Sequence, residues 1–178
     1  MDATHRAAEG DEPHLLLVVE TGLPGRLVRV SRPGRGARGS QGRVEEAVVS
    51  RWIDAVVAAL GARGAERPVH YVCLLGTKSK GRSEIAGFYD ARAPWESSTA
   101  PLFEDWLNEI AGARSRFVVH HFATVDGEPI PEDVVDQVCR RLRELLAEGN
   151  LVALGCSAAE RRSRDILDRL GWIGPSGR

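Results

Sequence analysis

Val69-His-Tyr-Val-Cys-Leu-Leu75 is an apolar run too short for a helix and without the in–out alternation of a half-exposed strand. Such a run suits a strand at the centre of a sheet with both faces covered. Arg116–Phe122 and Leu151–Leu154 are further strand-like runs. Between them lie helical patterns. Val44, Val48, Trp52, Ala55, Val56, Ala59 and Leu60 recur at helical spacing from Arg43 until Gly61. Pro101–Ile110 is a short amphipathic helix that Pro101 can start and Gly112 can end. Pro131–Glu148 carries the clearest stripe, Val134, Val138, Leu142 and Leu145, and Ser163–Leu170 forms a last short helix. At the other end, Leu15–Glu20 and Arg26–Val30 flank Thr-Gly-Leu-Pro-Gly, a hairpin signal.

Strands alternating with helices predict an α/β fold: one domain, a mostly parallel central sheet flanked by helices, with an N-terminal β-hairpin. The domain is expected over residues 14–172, after a disordered leader at 1–13 and before a tail at 173–178. With 178 residues the chain can bury a core without staples. Ligands of such sheets bind beyond the carboxyl ends of the strands. Three polar loops leave those ends, at 76–99, 123–131 and 156–163, and are expected to converge.

The formal charge of −1 provides no overall field toward nucleic acid or a membrane. The distribution is uneven. Arg26–Arg43 holds six arginines and no acid, whereas Glu84–Asp136 holds eleven acids against three arginines. The Gly/Arg loop 31–43 lacks the interleaved aromatics of a nucleic-acid-binding segment and reads as a surface loop. No apolar run approaches the length of a membrane span, so no membrane partner is expected. Three separated cysteines make no disulfide framework and suit a reducing cytoplasm; Cys73 and Cys139 read as core thiols. His120 and His121 are adjacent on a strand and so face opposite sides, and neither has the partners of a metal site.

Chemistry concentrates in Asn150-Leu-Val-Ala-Leu-Gly-Cys156-Ser-Ala-Ala-Glu-Arg-Arg162-Ser163. A cysteine after a buried strand, with an arginine six positions later at a helix start, sets backbone N–H groups and a guanidinium around one spot. That spot suits a phosphate-sized dianion, and the same groups favour the thiolate of a nucleophilic cysteine. A guanidinium can also grip two phosphoryl oxygens in its planar fork. Thirty residues upstream, Asp126 lies in another strand-end loop, where a proton donor would be needed. Alternatively, Asp126-Gly is an Asx turn, and Cys156 is a buried thiol before a solvated helix start. Residues 76–92 collect Lys78, Lys80, Arg82, Phe88 and Tyr89 at a strand end, a substrate-facing surface or a cap on the core.

The Cys-x5-Arg-Ser spacing resembles the protein-tyrosine and dual-specificity phosphatase superfamily. The order hairpin, helix, strand, helix, strand, Asp loop, helix, strand, Cys loop is similar to that family's over roughly residues 14–172. So is His120-His-Phe-Ala-Thr-Val-Asp126-Gly-Glu-Pro-Ile-Pro131, an acid loop entering a helix. The resemblance implies a dual-specificity phosphatase-like fold. It makes Cys156 the nucleophile, Arg162 the phosphate clamp, Asp126 the general acid, and Ser163 an aid to thiolate departure. Ser157, Ala158, Ala159, Glu160 and Arg161 would form the phosphate cradle, with Lys78 and Arg82 as substrate contacts. The implied partner is a phosphorylated protein or small molecule, with neither metal nor organic cofactor. Three positions depart from the pattern: Gly155 replaces histidine, and Ala159 and Arg161 replace glycines. Glycine permits φ > 0 and close backbone approach, so a strained or reshaped cradle is expected. Those departures give a second expectation, a catalytically inactive module that binds a phosphorylated partner or nucleotide. A third is a nucleotide- or RNA-associated α/β protein using the 31–43 loop.

Overall fold

The computed structural model describes residues 16–34, 46–62, 66–78 and 103–172. The expected leader at 1–13, the tail at 173–178, residues 35–43 of the Gly/Arg loop and residues 79–99 with Arg82 lie outside these. The elements are β1 (Leu16–Val19), β2 (Arg26–Ser31), α1 (Glu46–Leu60), β3 (Val69–Cys73), β4 (Thr77–Lys78) and α2 (Phe103–Ala111). A 3-10 turn at Gly112–Arg114 leads to β5 (Phe117–His121), β6 (Val125–Asp126), α3 (Glu132–Ala147), β7 (Leu151–Cys156) and α4 (Arg161–Leu170).

Five strands form one mixed sheet in the order β1-β2-β7-β3-β5. The β1–β2 hairpin is antiparallel, and β2, β7, β3 and β5 run parallel. The fold is therefore α/β with helices on both faces, as the alternation predicts. Strand β7, last in the chain, lies at the centre. Leu151 and Ala153 point toward α1 and α2, joining Trp52, Ile53, Tyr71, Phe103, Leu107 and Phe117. Val152, Leu154 and Cys156 point toward α3 and α4, joining Val138, Leu142, Leu145, Ile166 and Leu167. Burial on both faces removes the alternation from its sequence. Among the described residues, no helix is long and apolar enough to cross a membrane.

Sequence and structure differ where β7 meets α4. The strand runs to Cys156 rather than Leu154, and the helix starts at Arg161 rather than Ser163. Parallel ladders on both sides cause the extension: Ser31 pairs with Cys156 in β2, and Cys73 pairs with Gly155 in β3. Gly155 fits because Tyr71 fills the space beside it. A Cβ there would overlap the tyrosine ring and hydroxyl, so the position that carries histidine in the family pattern has no room for a side chain. At the other end of the sheet, α2 closes the outer edge of β5. Asn108 Nδ2 donates to Phe117 O at 3.0 Å and its Oδ1 accepts from Phe117 N at 2.7 Å. Glu104 Oε2 accepts from Val119 N at 2.7 Å. These side chains take the place of a further strand.

Two short strands lie outside the main sheet. β4 pairs with β6 in parallel, Thr77 opposite Val125 and Lys78 opposite Asp126. Nothing in two-residue segments signals such pairing. It joins the loop after β3 to the loop after β5. Gly76 permits the approach, since a Cβ there would overlap the Thr124 backbone.

Candidate active site at the carboxyl end of the sheet

Cys156 ends β7 and is 2% exposed. Its thiol donates to Ser163 Oγ at 3.4 Å across the first turn of α4. Residues 157–160 turn the chain between the two. Ser157 O accepts from Arg32 N at 3.3 Å, which fixes the loop to the end of β2. The reversal passes through Ala159, buried and at φ +52, the one non-glycine residue with positive φ among the described residues. An L-residue in that region costs roughly 1–2 kcal/mol relative to the right-handed conformation. Thus the loop keeps a glycine-type backbone at Ala159. The surrounding packing holds it there. The first intrahelical bond of α4 follows, Arg164 N to Glu160 O at 3.3 Å.

The two arginines that open α4 both reach the loop after β5. Arg161 Nη1 donates to Gly127 O at 2.9 Å from an exposed position. Arg162 is 3% exposed. Its Nη1 donates to Leu74 O at 3.1 Å and to Thr124 Oγ1 at 3.0 Å, and its Nη2 lies 3.1 Å from Asp126 Oδ1. Thr124 Oγ1 donates in turn to Leu74 O at 2.6 Å. Leu74 has just left β3, and its N–H still bonds Gly155 O at 2.8 Å. Three strand ends therefore converge on Arg162, as the alternating order predicts. A buried guanidinium requires such acceptors, because an unpaired buried charge is costly.

Cys156 with Ser163, and Arg162 with Asp126, thus form two bonded pairs at the carboxyl end of the sheet. Arg162 and Asp126, expected in separate roles as clamp and acid, are bonded to each other. Ser157 and Ala158 are half-buried on the loop, while Glu160 and Arg161 stand exposed on its rim. Lys78 enters through its backbone, opposite Asp126 in the small sheet. Sequence reading missed Thr124, which is 4% exposed. The available signal was a hydroxyl residue following the apolar strand of β5, where a buried hydroxyl must find a partner.

The histidines lie on opposite faces of β5. His121 Nε2 is 2.5 Å from Leu75 O, and burial holds this histidine below its ordinary pKa. His120 stacks on His70 with ring centroids 5.3 Å apart, and Arg141 Nε donates to its Nδ1 at 3.4 Å. Burial, with Arg141 and His70 beside it, lowers His120 from 6.5 to about 4. Cys139, within the α3 face, is raised above the ordinary thiol value by burial. No model of a known protein family matches the chain, and no match was found among curated proteins or solved structures.

Proposed function

We propose that the chain is a cysteine-dependent phosphatase acting on a phosphate monoester through a phosphocysteine intermediate. The observation that carries this reading is the placement of two bonded pairs, Cys156 with Ser163 and Arg162 with Asp126, drawn from two loops at the carboxyl end of the sheet. The dual-specificity phosphatase-like architecture is part of the same proposal, supported by a hairpin that comes first and a Cys loop that leaves the central strand.

In this reaction Cys156 Sγ attacks phosphorus in line as the bond to the leaving oxygen breaks, and Asp126 protonates that oxygen. Arg162 transfers from Asp126 to two equatorial oxygens and stabilises the transferred charge. Water then attacks the phosphocysteine, the S–P bond breaks, and the Ser163 hydroxyl hydrogen-bonds the departing thiolate. Inorganic phosphate leaves. Uncatalysed hydrolysis of phosphate monoesters is so slow that the site would supply on the order of 20 kcal/mol. Turnover of 4-nitrophenyl phosphate should vanish in Cys156→Ser; turnover at the parental rate would refute the reading.

The Arg162–Asp126 pair favours a second reading, a module that binds phosphate without turning it over. An Asp126 oxygen that accepts from Arg162 is not placed to donate a proton, and Cys156 is nearly closed to solvent. Vanadate binding by calorimetry, with no turnover of any aryl phosphate, would select it.

A further inference from the structure

Two buried polar atoms near Cys156 make no hydrogen bond among the described residues: Arg29 Nε and Ser31 Oγ. Both residues belong to β2 and share the face that looks toward α4, opposite Leu154 and Cys156 in the parallel ladder. Ser31 is fully buried. Arg29 forms part of a groove of about 500 Å³ between β2 and α4, together with Arg164, Asp165 and Asp168. Glu160 and Arg161, on the rim of the Cys156 loop, complete the lining. A half-buried guanidinium normally has an anion against it. The nearby pairing is poor: Arg164 Nε lies 3.8 Å from Asp168 Oδ2, with both side chains mostly exposed. Burial lowers Arg29 below its ordinary pKa, Arg164 adds to the effect, and Cys156, Asp168 and Glu160 oppose it.

We propose that this groove is a second phosphate subsite, with Arg29 as its main contact and Arg164 at its wall, so that the substrate is a small molecule carrying two phosphate groups. The assignment rests on the phosphatase reading, with one phosphate at Cys156 and the other at Arg29. The carboxylates of Glu160, Asp165 and Asp168 suit hydroxyl groups of the scaffold joining the two phosphates and would repel an anion bound elsewhere in the groove. Arg29 Nε, which has no acceptor among the described residues, gains a charge-assisted bond when the phosphate arrives.

The test is calorimetry on the full chain carrying Cys156→Ser, with inorganic phosphate, fructose 6-phosphate, pyrophosphate and fructose 1,6-bisphosphate as probes. At least one of the two diphosphorylated probes should bind about tenfold or more tighter than either monophosphate, and Arg29→Gln should abolish that advantage while leaving inorganic phosphate within about twofold. Without ligand, Arg29→Gln should melt no lower than its parent, because Arg29 Nε has no hydrogen-bond partner among the described residues. Equal weakening of all probes, no preference for two phosphates, or a lowered melting temperature in Arg29→Gln overturns the subsite. Its failure is separable from that of catalysis. Arg29-dependent binding in a chain that turns over no aryl phosphate removes the phosphatase and keeps the subsite, whereas turnover without the two-phosphate preference removes the subsite alone.

Discussion

Ala159 and Gly155 are each matched to their surroundings in a way that substitution can expose. At φ +52, Ala159 holds a conformation that glycine adopts without cost. Ala159→Gly relieves that strain but loosens the unfolded chain, so the net change in unfolding free energy should stay within about 1 kcal/mol. Activity should be retained. A β-branched residue at positive φ is a far worse fit. Ala159→Val should destabilise by more than about 2 kcal/mol in urea titration. A loss no larger than that of the glycine variant would mean that the loop adopts another backbone. Gly155→Ala should be costly for a different reason, contact with Tyr71, and shortening Tyr71 to leucine should recover part of the loss. The sequence singled out Cys156, Arg162 and Asp126 by their spacing and by their places at strand ends and a helix start. It could not show that Arg162 turns to Asp126 and Thr124, since that depends on where the ends of β3 and β5 lie beside β7.

The elements were legible to different degrees. Long apolar stripes marked α1 and α3, and the unbroken run at Val69 marked a central strand, because burial on two faces leaves a pattern in composition. The ends of β7 and α4 were not legible: Gly155 and Cys156 carry no strand signature, and only neighbours on both sides extend the ladder to them. The β4–β6 pair was equally silent. Nor could sequence reveal that α2 closes the edge of β5 with Asn108 and Glu104 rather than with packing alone. Asn108→Ala removes two hydrogen bonds to Phe117 and strips partners from a backbone N–H and C=O. The expected loss is about 1–3 kcal/mol in chemical denaturation. An opened edge should also promote association at high concentration, visible in light scattering, whereas Glu104→Gln can still accept from Val119 N and should stay monodisperse. Unchanged stability in Asn108→Ala would show that the edge needs no such closure.

For the molecule as a whole, the histidine pair at the β5 edge sets an acid limit. His120 protonates near pH 4 in the fold and near 6.5 in the unfolded chain, so the unfolded state binds more protons between those values. Stability should therefore be full above about pH 6.5, fall as pH drops toward 4, and change no further from this group below that. His70, also lowered by burial and then by Arg141, acts with the same sign. Because His120 is half-buried, its share is discounted to about 1–2 kcal/mol. His120→Gln should flatten the acid limb in melts taken across this range, and an unaltered limb would assign it to the carboxylates. The bond between Arg162 and Asp126 has a consequence of another kind. On the proposed reading phosphate must compete with a carboxylate of the same chain, so its apparent affinity would equal the intrinsic affinity scaled by the fraction of molecules in which Arg162 is released. If one molecule in about ten is open, the dissociation constant is about ten times the intrinsic one. On that reading Asp126→Asn raises the fraction and removes the proposed proton donor at once. One substitution should then tighten vanadate binding and slow turnover together, so that inhibitor affinity and catalytic rate move in opposite directions.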